Sequence, residues 1–467
     1  MTVEKNACKA YDIRGIYPEE VNEELAYRVG RALVQQLKAK KVVVGHDIRL
    51  SSPQLAEAAV KGIQDAGADA LFIGQCGTEM MYFATVHCEA DGGMMITASH
   101  NPKEYNGIKL VRAGARPIAG NSGLIDLYAM VAAEDFELRC PKAPAQGRKE
   151  NVEILSSYVA HLLSYIDLSS IKPFKIVANP GNGAAGMVVR ELAKFLPCQF
   201  FLCNETPDGQ FPNGVPNPLL PENRAATSQA VKQTGADLGI AWDGDFDRCF
   251  FFDENGRFIE SYYLVGLFAK YFLQIHPGSK ILYDPRLLWN TEDIIARCDG
   301  IPVRSPGGHA YIKETMRKYG VIYGGEMSAH HYFRDFSYCD SGMIPWLLLL
   351  SILSGSNLTL SQMVDARMGE FPCSGEINIQ VEDADAVLER LDKGLPDAVL
   401  DKLSKRFVSG IQDRMDGLSV VYTEWRFNLR KSNTEPLVRL NIETRGDRDL
   451  LQQKVREMLM LIGGTQV

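Results

Sequence analysis

The chain has no apolar run long enough to cross a bilayer: its most apolar stretch, residues 343–353, falls well short of the ~20 residues a spanning helix needs. A secretory leader pattern is also missing, since residues 1–12 are polar and charged. There is no excess of positive charge. With 50 Lys and Arg against 58 Asp and Glu, the net charge of −8 argues against nucleic acid or an anionic membrane as a main partner. A small anion stays open as a ligand, because it feels the local field of its pocket. The ten cysteines include no Cys-x-x-Cys pair, so neither a thiolate zinc site nor a disulfide framework is signalled. The expectation is a protein of the reducing cytoplasm.

What is present is the pattern of a multidomain α/β protein. At 467 residues the chain exceeds a single core, and three or four domains are expected. Residues 41–45 (KVVVG) form a short continuous β-branched run, as in a strand buried on both faces. Ser51 then offers an N-cap with Pro53 at the first helical turn; Leu55, Ala58, Ala59, Gly62 and Ile63 follow at helical spacing, and Gly67 supplies a stop. A similar stripe, Leu25, Val29, Ala32, Leu33 and Leu37, follows Asn22.

A longer repeat overlies these signals. Lys41, Lys175 and Lys280 each open an apolar strand that ends in a polar turn. Later in each unit a second strand runs into a polar loop, at residues 90–100, 236–245 and 319–328. The period exceeds a hundred residues, far beyond solenoid units of ~20–50, so a domain is expected three times over. Boundaries are expected in the Pro- and Ala-containing residues 140–147, at the turn 253–256 and around residues 368–372. The resulting domains are 1–147, 148–253, 254–369 and 370–467. The last lacks the repeat and carries an alternating strand at 437–444, which suggests a different α+β build.

The loops carry the chemistry. Asp243, Asp245 and Asp247 alternate after an apolar strand, so three carboxylates can wrap one hard divalent cation. An EF-hand is disfavoured because Arg248 stands where that loop needs glycine, and residues 249–252 (CFFF) continue as strand. A haloacid-dehalogenase-type phosphatase motif would have Thr or Val in place of Asp247. A magnesium site is favoured over a solvated acidic turn. Ser99, in the loop Thr97-Ala98-Ser99-His100-Asn101-Pro102, has no Gly-x-Ser-x-Gly around it, so a nucleophile elbow is not supported. It falls at the place in its repeat that Gly244 holds in the metal loop, which suggests a hydroxyl facing a metal, as phosphoryl transfer requires. Glu326 and Ser328 suit paired hydrogen bonds to adjacent sugar hydroxyls. Arg430, Ser432, Asn433 and Thr434 combine a guanidinium, hydroxyls, an amide and backbone N–H groups, a set that matches a phosphate dianion.

These four loops, with the early Tyr11-Asp12-Ile13-Arg14-Gly15, resemble the α-D-phosphohexomutase superfamily, and within it the bacterial phosphomannomutase/phosphoglucomutase group. The likeness runs over essentially the whole chain. It implies three α/β domains of one topology plus a C-terminal α+β domain around a central cleft. It implies a phosphoserine at Ser99, Mg²⁺ held by Asp243, Asp245, Asp247 and a phosphoseryl oxygen, and a hexose 1,6-bisphosphate that acts as intermediate and activator. Lys109 and Arg14 would give acid/base help and charge stabilisation, and Arg248 with His100 would support the phosphoseryl region. Tyr11, Glu326, Ser328, His309 and His330 fall on the sugar side. Arg286 joins them where some relatives place lysine, a change of geometry at constant charge. Arg430, Ser432, Asn433 and Thr434 would hold the non-reacting phosphate, and the Ser-Asn-Thr order differs from the Ser-Gly-Thr typical of phosphoglucosamine mutases. The implied activity is interconversion of mannose 6-phosphate and mannose 1-phosphate, feeding GDP-mannose and surface polysaccharide synthesis. Phosphoglucomutase or dual specificity is the near alternative, and a metal-dependent sugar phosphatase the distant one. The implied partners are small hexose phosphates, with neither nucleic acid nor membrane, for a monomer or homodimer.

Overall fold

A computed structural model describes residues 7–392, 410–431 and 437–466. The chain divides into two compact units, one of residues 1–258 with 328–359, the other of residues 259–327 with 360–467. In the first unit, Asn22 caps the helix Glu23–Leu37 by accepting from Leu25 N at 3.0 Å, and Glu23 and Glu24 favour its positive end. Leu25, Val29, Ala32 and Leu33 bury the expected stripe in the core that also takes Leu55, Ala59 and Ile63 of the helix Ser52–Asp65. Ser51 occupies the N-cap position of that second helix without a side-chain cap bond, and Pro53 sits in its first turn, second after the cap. The Ser51 hydroxyl instead accepts from Asn106 Nδ2 at 2.8 Å.

The repeat is a topology. Strand Lys41–His46 lies between Asp69–Gln75 and Gly92–Ile96; Lys175–Asn179 lies between Gln199–Leu202 and Leu238–Trp242; Lys280–Tyr283 lies between Ile301–Arg304 and Tyr323–Gly325. All six pairings are parallel, and a helix crosses between successive strands, as a parallel sheet requires. In the first unit the two sheets continue with antiparallel neighbours, Tyr105–Arg112 and Cys249–Phe252. Residues 249–252 are therefore strand, as expected. The first unit also holds the hairpin of His331–Phe333 and Cys339–Asp340 and the helix Ile344–Ser354.

Strand register corrects one sequence alignment. Val42 faces Gly92 and Ile176 faces Leu238, so Gly92 and Leu238 are equivalent. Counting seven residues onward from each puts Ser99 level with Asp245, and Gly244 level with Ala98. The serine thus stands one residue beyond the expected match, opposite a carboxylate position.

In the second unit the tail forms a six-stranded antiparallel sheet flanked by the helices Ala384–Asp392 and Arg448–Ile462. The strand Leu437–Thr444 alternates only at its start, since residues 440–444 are buried on both faces. Glu443 tolerates this because it pairs with Arg426 at 2.8 Å and accepts from Leu288 N at 2.7 Å. The most apolar stretch is a buried core helix, Ile344–Ser354, and no described helix is long and apolar enough to cross a membrane. All ten cysteines are free thiols.

Candidate phosphoryl-transfer site

Open α/β sheets present ligands at the carboxyl ends of their strands, and the chemistry-bearing loops of the first unit begin there. After Gly92–Ile96 the chain turns sharply: Thr97 Oγ1 accepts from Ser99 N at 2.9 Å, and Asn101 N donates to Ala98 O at 3.0 Å. Ser99 takes φ +50°, left-handed backbone that is uncommon for a side chain other than glycine. After Leu238–Trp242 the metal loop closes similarly, with Phe246 N bonded to Asp243 O and Phe246 at φ +47°. Gly244 is needed where the two loops meet, because a Cβ there would lie 2.6 Å from Ser99 O.

Ser99 Oγ donates to Asp243 Oδ2 at 3.0 Å and lies 3.2 Å from His100 Nδ1. The three aspartates are buried, and their oxygens come within 4.8 Å of one another. Three carboxylates so close repel one another, and positive charge comes from Lys109, whose Nζ donates to Asp245 Oδ2 and Asp247 Oδ2, both at 2.7 Å, and to Thr78 Oγ1 at 3.2 Å. Burial opposes the Lys109 ammonium, yet Asp245 and Asp247 outweigh it and hold the group firmly protonated. Burial, then the charges of Asp247 and Asp245, pushes Asp243 up to about 7. Burial also opposes ionisation of Asp247, but Lys109, His330 and Arg248 hold it well below the usual carboxylate range. His100 is pushed down by burial first and then by Arg248 and Arg14, so its ring is neutral.

The residues fit a hard divalent cation. The donor set is all carboxylate oxygen, and Asp245 Oδ1 and Asp247 Oδ1 are buried with no hydrogen-bond partner. A second grouping, Asp247, His330 and Asp340, shares one of these carboxylates. Around the serine loop, Arg14 Nη1 donates to Asn101 Oδ1 at 2.7 Å, Arg248 Nη2 lies 3.1 Å from His100 Nδ1, and Arg248 Nε donates to His330 Nε2 at 3.2 Å. Ser328 Oγ lies 3.2 Å from His330 Nδ1. Tyr11 is half-buried just before the strand Ile13–Ile16 that carries Arg14.

The second unit gathers Arg286, His309, Glu326 and Arg430. Arg286 Nη2 pairs with Asp284 at 2.6 Å and lies 3.6 Å from Glu326 Oε1. Glu326 is buried, not an exposed charge, and accepts from Gly308 N at 3.0 Å, at the start of the helix His309–Tyr319. Glu376 accepts from Arg430 Nη2 at 2.8 Å and lies 3.5 Å from Arg286 Nη1 and 3.6 Å from Arg439 Nη1. Ser432, Asn433 and Thr434 lie outside the described residues.

Sequence reasoning missed Thr78, Arg49, Asp284, Glu376 and Arg439. Asp284 had a signal in the turn that ends a Lys-led strand. Arg49, two residues past Asp47, had the same signal at the end of the first Lys-led strand, whereas Thr78, Glu376 and Arg439 had none, since their partners lie tens of residues away.

Models of all four domains of one family match in order: phosphoglucomutase/phosphomannomutase domain I over residues 5–136, domain II over 156–256, domain III over 260–371 and the C-terminal domain over 376–460. The chain belongs to the phosphoglucomutase/phosphomannomutase family. As a phosphohexomutase it is an isomerase that works by phosphoryl transfer, built from three α/β domains of one topology and a fourth, α+β domain. It is 54% identical to a protein of Xanthomonas campestris named "Phosphohexose mutases", over 98% of this chain and 99% of that one. It is 52% identical to a phosphomannomutase of Salmonella typhimurium, over 97% and 98% of the two chains. A crystal structure of a family member from Burkholderia thailandensis superposes with a TM-score of 0.85 at 29% identity, covering 99% of each chain.

Proposed function

We propose that the chain is a phosphomannomutase that interconverts mannose 6-phosphate and mannose 1-phosphate through a phosphoserine at Ser99. The observation that carries this reading is Ser99 Oγ at 3.0 Å from Asp243 Oδ2, beside two further buried aspartates. Support for the sugar comes from relatives of Salmonella and Escherichia coli, 52% and 51% identical, that are named phosphomannomutase. In the forward half-reaction the phosphorus–Oγ bond of phosphoseryl 99 breaks as a sugar hydroxyl oxygen bonds to phosphorus. The proton that hydroxyl loses is balanced by the one Ser99 regains. The hexose 1,6-bisphosphate so formed returns its other phosphoryl group to Ser99, and the same bisphosphate primes an uncharged enzyme.

Asp243, Asp245 and Asp247 would hold Mg²⁺, which when bound neutralises charge on the transferring phosphoryl oxygens. Lys109, held as an ammonium, suits charge stabilisation and proton donation rather than abstraction. Arg14 steadies the serine loop through Asn101, and Arg248 with His100 flanks the phosphoryl group. Glu326 with Arg286, and Ser328, His309, His330 and Tyr11, would read the sugar, while Arg430 and the run Ser432, Asn433 and Thr434 would take the distal phosphate. Ten free thiols suit a cytoplasmic enzyme. Dual specificity towards glucose phosphates is the second reading, favoured by the broader name of the 54% identical Xanthomonas relative.

The test compares kcat/KM for mannose 1-phosphate and glucose 1-phosphate with bisphosphate and Mg²⁺. A mannose preference is expected; a glucose preference of about tenfold, equivalent to about 1.4 kcal/mol, would overturn the assignment. Ser99→Ala should lose turnover and take no phosphoryl label. Near-normal turnover would remove the phosphoserine from the mechanism.

A further inference from the structure

Arg49 stands in the turn after the strand Lys41–His46, and its side chain is fully buried. Its Nη1 donates to Pro102 O at 2.6 Å and Tyr105 O at 3.0 Å, and its Nη2 donates to Ser99 O at 2.8 Å and Asn101 O at 2.6 Å. Four carbonyl oxygens of one loop thus converge on one guanidinium. Their negative ends would repel one another without it, and only a planar fork has the donors to meet four oxygens at once. A lysine ammonium offers three donors from a single point.

We infer that Arg49 is a positioning residue for phosphoryl transfer, its guanidinium holding the Ser99 loop in the turn that aims the hydroxyl at Asp243. This rests on the reading of Ser99 as phosphoryl carrier. Both hydrogens on each Nη are committed inside the loop, so Arg49 has none of them left for a substrate phosphate. It acts through Ser99 and not on the sugar.

The guanidinium is itself held from two sides. Asp47 Oδ2 lies 3.2 Å from Nε, while Asp47 Oδ1 accepts from Arg49 N at 3.0 Å and from Ser52 Oγ at 2.5 Å. From the other side, Phe211 places its ring centroid 5.4 Å from the guanidinium carbon. Gly209 closes on the same turn, where a Cβ would lie 2.5 Å from Ile48 O. One arm of the clamp therefore comes from Asp47, in the turn after the strand Lys41–His46, and the other from residues 209–211, in the segment after the strand Gln199–Leu202. The loop these arms secure holds Ser99 at φ +50°, a sparsely populated conformation for a residue other than glycine.

The test uses the full-length enzyme and its variants Arg49→Lys and Asp47→Asn. The readouts are kcat and KM for mannose 1-phosphate, the single-turnover rate of label transfer from glucose 1,6-bisphosphate to Ser99 with Mg²⁺, and thermal melting by circular dichroism. Folded Arg49→Lys is expected to lose about 30-fold or more in kcat and in labelling rate alike, with KM within about threefold of the parent. Asp47→Asn is expected to show a smaller loss of the same kind. A folded Arg49→Lys that labels within about threefold of the parent overturns the inference. If Arg49→Lys does not fold, folded Asp47→Asn decides by the same threefold criterion. If neither folds, Arg49 is a folding determinant and the positioning role falls. If the parent enzyme takes no label on Ser99, the phosphoserine reading itself fails, an outcome distinct from normal labelling in the variants.

Discussion

Three guanidiniums share one carboxylate at Glu376, an unusual concentration of charge for a residue whose side chain keeps about a quarter of its solvent exposure. Burial opposes its ionisation, but Arg430, Arg286 and Arg439 outweigh that and hold it down to about 2. Because this carboxylate is depressed, its contribution to stability is complete above the ordinary glutamate range, near 4.5, and is lost as pH falls through about 2. A shift of that size corresponds to about 3 kcal/mol as an upper bound, reduced by the solvent that reaches the group. Urea midpoints taken from pH 6 down to pH 2.5 should fall more steeply for the parent than for Glu376→Gln. Parallel curves would show that the pairing contributes no net stability. The aspartates of the metal loop separate in the same way: Asp247 bonds to Lys109, whereas Asp243 has Arg248 Nε at 3.5 Å but is pushed up to about 7 by burial and its two like-charged neighbours.

At the scale of elements, the serine and metal loops and the start of a helix meet at close contact. The helix Thr78–His87 begins on the metal loop, with Thr78 N bonded to Asp245 O at 3.0 Å and its hydroxyl donating to Asp245 Oδ2. Its next residue, Glu79, is fully buried and accepts from Tyr158 Oη and Gly342 N, so the helix start is tied down on two sides. Gly244 is the joint between the metal loop and the serine loop. Gly244→Ala would set a methyl carbon 2.6 Å from Ser99 O, and backbone must move to admit it. A loss of about 10- to 100-fold in kcat is expected, from displacement of the hydroxyl relative to Asp243. The control is Gly369→Ala in the helix Leu360–Glu370, where a Cβ meets nothing within 4 Å. That change should leave kcat unaltered and add up to about 1 kcal/mol of stability through helix propensity. Equal kcat in the two variants would mean that the loops do not constrain each other.

At the scale of the molecule, a cation that binds only the folded state raises its stability by mass action. Chelator-treated enzyme at pH 7.5 should therefore gain a few degrees of apparent melting temperature in millimolar Mg²⁺, and Asp245→Asn should lose that gain. An unchanged melting temperature in the parent would argue against a magnesium site at these carboxylates. Much of this architecture was legible beforehand. Continuous apolar strands, caps such as Asn22, and three Lys-led units predicted the α/β repeat, because periodicity and turn chemistry depend on neighbours a few positions apart. Motif loops marked Ser99 and the three aspartates, and strand register sets Ser99 level with Asp245 instead of the expected Gly244, as does counting from the shared Ala-Asp at 90–91 and 236–237. Likewise the alternation at 437–444 concealed that Asn441 and Glu443 are buried, because a polar residue can face inward once distant partners satisfy it. The sequence by itself determined which elements form and which side chains can carry the chemistry. Only the tertiary structure decided that Lys109 neutralises Asp245 across 136 positions and that Arg49 gathers the carbonyls of the Ser99 loop. The reason is physical: local pattern sets secondary structure, but charges far apart in sequence meet only where stacked sheets bring their loops to one place.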